Sequence, residues 1–438
     1  MSDDCLHEDT GDMLSVEEAL QQVLDLARRL DVQEVALADA LGAVLAEDLV
    51  AGFAIPPFDN SGMDGYAVRR ADAAAAVEDR PLTLPVVGEI AAGQEPGARL
   101  AVGTAVRIMT GAPVPTGADA VIPFENTDEE ERKRRGEELD HIGLRVVPRE
   151  RANIRAAGED IAQGAVVLQR GRLLAPADIG IAASVGRTRL TVVRRPVVAV
   201  ISTGDEIVEP GEQLRPGTIY DSNSHTLGAL VRWYGGIPDL LGIARDNEAS
   251  LNAFIDRALG ADLVVTSAGV SRGEYDVVKA VLAARGRIAS RSVRMKPARP
   301  LAFGSLISGR RSIPHIGLPG NPVAVVVAFE TFVRPAILNM RGIGDHAHRR
   351  VQATLDAGIA NRDHRRVYSR VVVYESEDGS GLRARPSGAQ GSGILTAAAA
   401  ANGFAICPEH LERLDPGDQV TVEMLDWDAP PTGLDPTR

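Results

Sequence analysis

The alternation of strand-like and helix-like segments in residues 196–340 constrains the fold more than any other feature of the chain. Short apolar runs predict strands at 196–201, 262–266 and 313–316. Helical patterns bounded by Asn, Pro or Gly predict helices at 226–234, 248–259 and 277–285, and a further helix from Pro322 onward. Such alternation implies parallel strands joined by crossover helices. This region is therefore predicted to form a doubly wound α/β layer.

The regions on either side of this layer have different patterns. Residues 16–48 carry apolar side chains at three- and four-residue spacing, which predicts one or two amphipathic helices. Residues 52–151 alternate short apolar runs with Gly and Pro, which is typical of a compact β domain, and the charge-rich stretch 128–140 inside it is interpreted as a solvated hairpin or loop tip. Short strands at 367–374 and 420–424 predict a small C-terminal β-barrel.

Composition excludes several classes of protein. A length of 438 residues with 45% hydrophobic and 24% charged residues indicates a globular chain of several domains. A net charge of -13 without a visible basic stripe disfavours nucleic acid as a partner. The sequence is interpreted as having no apolar stretch that approaches membrane-spanning length, and the acidic N-terminus lacks the features of a secretory signal. Cys5 and Cys407 show no metal-ligand spacing, and the protein is expected to be cytoplasmic.

Three polar, glycine-rich loops follow predicted strands of the α/β layer, at 202–206, 267–276 and 317–322. Ligands of open α/β sheets bind outside the carboxyl ends of the strands, so these loops are expected to converge. Glycines allow close backbone approach, free amides can cradle a phosphate, and the helix beginning at Pro322 would point its first amides at an anion. The predicted ligand-binding residues are Ser202, Thr203, Gly204, Ser267, Gly269, Ser271, Gly273, Pro319, Gly320 and Asn321.

Acidic residues in the same loops require a separate explanation. Asp205, Glu206, Glu274 and Asp276 would repel a phosphate unless a divalent cation lay between them, and Mg²⁺ is the cation expected with carboxylates and phosphate oxygens. The alternative is that these carboxylates cap turns and helices, above all Asp276, which lies at a predicted helix start.

Seven segments of the chain together resemble one family. They occur in the order in which molybdopterin molybdenumtransferases carry them, and they read FDNSGMDGYAV (58–68), RIMTGAPVP (107–115), GEDI (158–161), STGDE (202–206), AGVSRGEYDVVK (268–279), MKPARP (295–300) and GLPGNPV (317–323). Over about residues 14–425 the chain resembles this family, which includes MoeA and the gephyrin E domain.

The resemblance implies a fold and an assembly. The fold is a multidomain α/β plus β architecture, and its expected parts are a helical linker domain (14–50 and 152–190), an inserted β domain (51–151), a molybdopterin-binding α/β domain (191–345) and a C-terminal β-barrel domain (346–428). The resemblance also implies an elongated homodimer in which each active cleft joins the α/β domain of one subunit to the inserted domain of the other.

The resemblance further implies a reaction, in which molybdenum from molybdate is inserted into adenylylated molybdopterin and AMP is released. Positions matching the family's cation-binding or catalytic residues are Glu206, Asp246 and Asp276. Positions matching functional residues outside the α/β domain are Asp64, Thr110 and Asp160. Positions matching basic or oxyanion-binding residues are Lys279, Lys296, Arg299, Arg370 and Ser392.

Two departures from the family pattern fall in these motifs. Where the family commonly has LysProGlyLysPro, this chain has Ala298 and Arg299, and a glycine that precedes ValSer in the family is replaced by Ala268. Alternative functions also stay open at this point. The α/β domain alone resembles a module of molybdopterin adenylyltransferases and of the competence-damage-inducible family, and tungstate insertion or a scaffold role is also compatible with the motifs. An adenylyltransferase or a molybdoenzyme is a candidate partner.

Overall fold

The chain passes more than once between two compact units. In a computed structural model, residues 13–95, 97–268, 276–425 and 427 are described, with only the backbone described at 276–279. The larger unit contains Met1–Ala46, Gly171–Ala175 and Arg189–Arg438, and the smaller unit contains Glu47–Arg170 and Pro176–Thr188.

A six-stranded mixed sheet forms the centre of the larger unit. Its strand order is Ile237–Ala244, Val197–Thr203, Leu263–Ser267, Arg311–Leu318, Pro300–Ser308 and Gly286–Ser292. The first four strands are parallel, and the last two are joined to them by antiparallel pairing. The predicted parallel layer is confirmed, and the antiparallel hairpin extends it at one edge.

Helices cover both faces of this sheet, as its side-chain alternation requires. Val198 and Val200 pack with the helix Asn223–Trp233 in one core cluster, whereas Ala199 and Ile201 pack in a second cluster. The helices of that second cluster are Glu248–Ala258 and Asp276–Arg285. Because the strand Val197–Thr203 buries both of its faces and helices pack in both clusters, the doubly wound prediction is confirmed.

One long helical segment, Pro322–Met340, lies in the first core cluster. It consists of an α-helix (Pro322–Ala328), a π-helical turn (Phe329–Val333) and a second α-helix (Arg334–Met340). By length and composition alone it could cross a membrane, so the expectation that no apolar stretch approaches that length was wrong. In the structure 89% of its most apolar window is buried inside the protein, which makes it a core helix.

The N-terminal part of the larger unit is helical only at first. The helix Val16–Leu26 begins with a capping box between Ser15 and Glu18 and buries one face. The prediction of helix as far as residue 48 was wrong beyond this point. A three-stranded sheet follows, in the order Val32–Ala36, Arg189–Val193 and Val44–Leu45. Its central strand comes much later in the sequence than the other two. A 3-10 turn lies at Leu37–Asp39.

The C-terminal barrel contains five strands that close on themselves. Around the barrel the strands are Arg366–Glu375, Leu382–Pro386, Arg350–Leu355, Gln419–Met424 and Gly403–Cys407, with the last pairing to the first. The short strand Met295–Lys296 pairs with the barrel strand Arg366–Glu375. The remaining small elements are the antiparallel pair Ile359–Ala360 and Arg413–Leu414, the parallel pair Ile207–Val208 and Ile219–Tyr220, and the helix Leu395–Ala399. The predicted small β-barrel is confirmed.

The smaller unit has a five-stranded sheet. Its order is Ala120–Pro123, Gly65–Val68, Ala105–Ile108, Leu82–Ile90 and His141–Leu144. Its other elements are the pairs Asn60–Ser61 with Ile154–Arg155 and Leu49–Val50 with Val166–Leu168, the helices Glu129–Arg135 and Pro176–Ser184, and 3-10 turns at Arg70–Ala73 and Phe124–Asn126.

The charge-rich stretch 128–140 is not a hairpin or loop tip. Residues Glu129–Arg135 form a helix, and the Glu129 side chain is only 2% exposed. The Glu129 carboxylate forms ion pairs with Arg107 at 3.1 Å and with Lys133 at 2.5 Å. The Arg107 guanidinium also lies 4.6 Å from the centroid of the Phe124 ring. A sequence pattern of mixed charge concealed this buried acid because one of its partners, Arg107, is distant in sequence.

Candidate active site

A cavity of about 980 Å³ in the larger unit opens between the strand-end loops of the sheet and the barrel. This volume is within the range of small-molecule sites. The cavity is called the pocket below. The predicted site residues that line it are Ser202, Thr203, Glu206, Ser267, Lys296, Arg299, Pro319, Gly320, Asn321, Arg370 and Ser392.

The register of the parallel strands explains why the loops converge. Ser202 is paired with Ser267 across one strand interface, and Ser267 is paired with Leu318 across the next. Each strand therefore ends at the same level, and the chain that follows it enters the same edge of the sheet. The side chains of Ser202, Thr203 and Ser267 are at most 3% exposed.

Two residues that the sequence analysis missed, Asp221 and Asn223, also line the pocket. The Asn223 side-chain amide donates to Ser267 Oγ at 2.8 Å and to the Gly320 carbonyl at 2.7 Å, so it ties two of the loops together. Asp221 Oδ1 accepts a hydrogen bond from the Ser224 amide at 3.0 Å. The triplet AspSerAsn before an apolar helix has the pattern of a helix cap, which is why it did not stand out in the sequence.

Carboxylates cluster beside the first loop. The Asp246 amide donates to Asp205 Oδ1 at 3.4 Å, while Asp246 Oδ1 is buried without a hydrogen-bond partner in the described part of the chain. Burial, followed by the negative charges of Asp205 and Glu206, raises the pKa of Asp246. An orphaned carboxylate oxygen facing two further acids is the environment that a divalent cation stabilises, so Glu206 and Asp246 fit the predicted Mg²⁺.

Part of the predicted site lies outside the described residues. Gly269, Ser271 and Gly273 belong to the undescribed stretch 269–275, and the side chains of Asp276 and Lys279 are not described although their backbone forms the start of a helix. Among the described residues no group of three His, Cys, Asp or Glu side chains is arranged to hold a metal ion. The third predicted ligand, Asp276, therefore remains a prediction.

Gly204 allows the chain to turn between the first strand and Glu206. Its φ of 146° lies in the region that residues with a Cβ rarely adopt. A Cβ built on Gly204 would lie 2.6 Å from Glu206 Oε2. A side chain at this position would push the Glu206 carboxylate away from its present place.

Arg370, on the barrel side of the pocket, is a buried cation. It is 1% exposed, and its guanidinium donates to the carbonyls of Ala389 at 3.0 Å and Gly391 at 3.2 Å. Within the described residues no carboxylate forms an ion pair with it, and its Nε has no hydrogen-bond partner. Burial lowers the pKa of Arg370. A desolvated guanidinium without a counter-ion favours an anionic ligand.

Two other bases of the pocket, Lys296 and Arg365, are more exposed than Arg370 and are already paired. Lys296 Nζ lies 3.3 Å from Asp363 Oδ2, and Arg365 also contacts Asp363. The hydrogen bond from Arg365 is the main cause that lowers the pKa of Asp363. These two bases add positive charge at the pocket rim, whereas Arg370 provides it in the interior.

The amides at the start of the helix Pro322–Ala328 are less available to a ligand than the sequence suggested. The first helical amide, that of Val323, donates to the Ser392 carbonyl at 3.1 Å. Pro322 has no amide hydrogen. The expectation that this helix points its first amides at a ligand is therefore wrong for Val323, whose donor links the helix to the barrel loop that carries Ser392.

The predicted residues of the smaller unit form a separate exposed group. The Asp64 carboxylate accepts from the Thr110 amide at 2.7 Å and from the Thr110 hydroxyl at 2.8 Å. These hydrogen bonds, the backbone one first, lower the pKa of Asp64. Asp160 is exposed, and its amide donates to the Ile55 carbonyl. Asp64 and Thr110 are therefore hydrogen-bonded neighbours within the smaller unit.

Family comparisons cover nearly the whole chain. Residues 14–186 match the MoeA N-terminal region (domain I and II), residues 199–339 match the probable molybdopterin binding domain, and residues 352–425 match the MoeA C-terminal region (domain IV). The chain belongs to the MoeA family of molybdopterin molybdenumtransferases. It is accordingly an enzyme of molybdenum cofactor biosynthesis.

Named relatives and solved structures agree with this assignment. Molybdopterin molybdenumtransferase 2 of Mycobacterium tuberculosis is 38% identical over 95% of this chain and 100% of its own length. Molybdopterin molybdenumtransferase of Haemophilus influenzae is 35% identical over 94% of this chain and 98% of its own. The crystal structure of the molybdopterin biosynthesis MoeA protein from Pyrococcus horikosii superposes with a TM-score of 0.80 at 33% identity, covering 94% of this chain and 99% of that one.

The two departures from the family motifs occupy left-handed backbone. Ala268 has a φ of 77° and Ala298 a φ of 73°, and both residues line the pocket. Glycine adopts these angles without the steric cost that a Cβ introduces. Both alanines therefore carry local backbone strain at the pocket wall.

Proposed function

We propose that the pocket binds adenylylated molybdopterin and molybdate together, and that the enzyme inserts molybdenum at the pterin dithiolene with release of AMP. The observation that carries this proposal is that strand-end loops and carboxylates form one side of the pocket, while the buried Arg370, which has no carboxylate partner among the described residues, lies on the other. A phosphoanhydride and a separate oxyanion require these two kinds of environment.

The reaction balances without a redox partner. The two dithiolene sulfurs replace two oxygens of molybdate, which leave as two waters formed with the two thiol protons and two protons from solvent. Molybdenum stays in its hexavalent state. One water equivalent cleaves the phosphoanhydride bond between the molybdopterin phosphate and AMP. The residues of the chain therefore need only to hold the reacting groups together, offset their negative charge and exclude bulk water.

Glu206, Asp246 and Asp276 would hold Mg²⁺, which supplies positive charge to the oxygens of the phosphoanhydride when it is bound. Asp246 Oδ1 is buried and has no hydrogen-bond partner among the residues that the structure describes, which supports this assignment. The hydroxyl of Thr203 and the backbone around Gly204 and Gly320 bind the phosphate chain.

Arg370 and Ser392 bind molybdate, with Lys296 and Arg299 adding charge nearby. A guanidinium can give parallel hydrogen bonds to an oxyanion, and a desolvated one does so more strongly than a solvated one. Tungstate has the same shape and charge as molybdate, so these residues do not distinguish between the two oxyanions.

The smaller unit takes part through a homodimer in this proposal. Asp64, Thr110 and Asp160 of one subunit would complete the pocket of the other, and the four domains have the boundaries given by the resemblance. The exposure of the hydrogen-bonded Asp64 and Thr110 supports a role that requires a further surface. Light scattering alongside activity tests this, because a monomer with full activity at nanomolar concentration would exclude it.

The central experiment measures AMP released from adenylylated molybdopterin by the purified protein with and without molybdate. We expect molybdate- and Mg²⁺-dependent release of one AMP for each molybdenum inserted. Release that is independent of molybdate would indicate a simple phosphoanhydride hydrolase and would contradict the proposal.

A further inference from the structure

Besides Arg370 Nε on the barrel side, two buried polar atoms on the α/β side of the pocket have no hydrogen-bond partner in the described part of the chain. They are Ser202 Oγ and Asp221 Oδ2, and each of these residues is only 3% exposed. A buried polar atom without a partner costs about 1–3 kcal/mol. Such atoms are rare in native proteins, and two in one pocket indicate groups kept for a ligand.

The two atoms belong to one end of the pocket. Ser202 is the register partner of Ser267, and the Ser267 hydroxyl accepts from the Asn223 amide at 2.8 Å. Asn223 in turn lies two residues after Asp221. Ser202, Asp221, Asn223 and Ser267 therefore surround one part of the cavity, called the pocket floor below.

Helix capping does not explain the burial of Asp221. Its Oδ1 accepts from the Ser224 amide at 3.0 Å, as a capping carboxylate does. A cap needs only this oxygen, and in an ordinary cap the other oxygen is solvated. Here the second oxygen is buried in the pocket wall, and no described Lys or Arg forms an ion pair with it.

The chemistry of the floor selects donors on the ligand. An ionised carboxylate only accepts hydrogen bonds, so the ligand must present N–H or O–H groups to Asp221. The pterin ring of the proposed substrate carries an amino group beside a ring N–H, which are two adjacent donors. Adenine, its other heterocycle, carries an amino group flanked by ring nitrogens that accept, and these would face the carboxylate lone pairs.

We infer that the pocket floor binds the pterin ring of the substrate, with the Asp221 carboxylate accepting from its 2-amino group and adjacent ring N–H. Ser202 provides a hydroxyl to the same ring. This inference rests on the proposed function for the identity of the substrate, and it assigns the pterin to the floor formed by Asp221 and Ser202.

The test compares Asp221→Asn with the wild type by calorimetry, using adenylylated molybdopterin and AMP alone as separate ligands. Asn keeps the capping oxygen and the shape of the side chain but replaces an acceptor with a donor. We expect the affinity for adenylylated molybdopterin to fall about 10- to 100-fold, as for a lost charge-assisted hydrogen bond, while the AMP affinity stays within about twofold. Asp239→Asn, at an exposed carboxylate on a neighbouring strand, is the matched control and should change neither.

A second variant, Ser202→Ala, keeps the test informative if Asp221→Asn does not fold. Because the hydroxyl has no partner in the described residues, its removal leaves no group unsatisfied, and thermal stability should be kept or slightly raised. The pterin-nucleotide affinity should still fall, by about 3- to 10-fold. Unchanged affinity in both variants would overturn the inference.

Two further outcomes would also overturn it. An equal loss of AMP affinity in Asp221→Asn would place adenine on the floor, and a loss seen only in the presence of Mg²⁺ would make Asp221 a cation ligand. Failure of the proposed function is distinguishable, since the wild type itself would then release no AMP in response to molybdate.

Discussion

The α/β wall and the barrel wall of the pocket differ in charge and in how they are built. On the α/β wall, acids follow parallel strands, with Glu206 and Asp221 in the pocket and Asp246 beside it. On the barrel wall, Arg365 and Arg370 project from one strand and the preceding loop. Both walls belong to the same compact unit.

The difference teaches how one pocket can hold two anions. The α/β wall repels an anion unless a cation intervenes, whereas the barrel wall attracts an anion directly. In a chain of net charge -13, long-range attraction for molybdate is absent, so capture depends on local bases. We therefore expect variants of the two walls to damage different steps of the same reaction.

The largest effect is expected on the α/β wall. Asp246→Asn removes a predicted cation ligand, and AMP release at a fixed Mg²⁺ concentration should fall by at least about 100-fold. Without Mg²⁺ the same variant should be more stable than the wild type to urea, because the orphaned carboxylate beside Asp205 and Glu206 is gone. Wild-type turnover and Mg²⁺ dependence in this variant would show that Asp246 holds no cation.

A smaller effect is expected on the barrel wall. Arg370→Ala removes the buried guanidinium, and the molybdate concentration for half-maximal AMP release should rise about 10- to 100-fold. Excess molybdate should restore most of the rate. Arg365→Ala is the matched control, since Arg365 lines the same pocket but is already paired with Asp363, and its effect should be clearly weaker. If neither Arg370→Ala nor Lys296→Ala shifts the molybdate dependence, the oxyanion binds elsewhere.

Acid should lower the free energy of unfolding of the larger unit, because two of its histidines are buried in the neutral form. Burial lowers the pKa of His315, on a strand of the sheet, to about 3. Burial, followed by the charge of Arg334, lowers the pKa of His348, just before the barrel strand Arg350–Leu355, to about 4. Below the ordinary value of about 6.5 the unfolded chain binds protons that the folded chain does not, so the free energy of unfolding should fall by up to about 1.4 kcal/mol per pH unit for each histidine.

Urea unfolding between pH 6.5 and pH 4.5 measures this slope. His348→Gln and His315→Gln should each reduce it by about one histidine's share. A slope identical to that of the wild type in both variants would mean that neither histidine is held neutral by the fold.

The smallest effect concerns the two alanines in left-handed backbone. Ala268→Gly and Ala298→Gly should each raise the free energy of unfolding by about 1 kcal/mol, because glycine relieves the Cβ strain. Ala302→Gly, in a regular strand, should lower it by a similar amount and serves as the control. Destabilisation by both pocket substitutions would show that the alanines are not strained.

The two walls also differ in how far the sequence could predict them. The α/β wall follows from a local rule, since strand ends of a parallel layer meet at one edge, and Ser202, Ser267 and Gly320 were found in this way. Asp221 was missed because a capping pattern and a ligand-binding carboxylate look alike until burial is known. The orphaned Oδ2 is a property of packing, which the sequence does not display.

The barrel wall could not be derived from local patterns. Short alternating strands predicted a barrel, but its closure depends on pairing between Arg366–Glu375 and Gly403–Cys407. Only that long-range pairing and the helix contact through Ser392 bring Arg370 to the pocket, so Arg370 and Ser392 were accessible through family resemblance alone. The same limit explains Glu129, whose partner Arg107 lies 22 residues away in sequence.

The most direct test of the division between the walls is a calorimetric comparison of two ligands with two variants. Molybdate and adenylylated molybdopterin are titrated separately into Arg370→Ala and Asp246→Asn, with Mg²⁺ present throughout. We expect Arg370→Ala to lose molybdate affinity about 10- to 100-fold with the pterin nucleotide unaffected, and Asp246→Asn to show the reverse selectivity. Parallel loss of both ligands in either variant would contradict the division, because it would mean that the walls act as a single site.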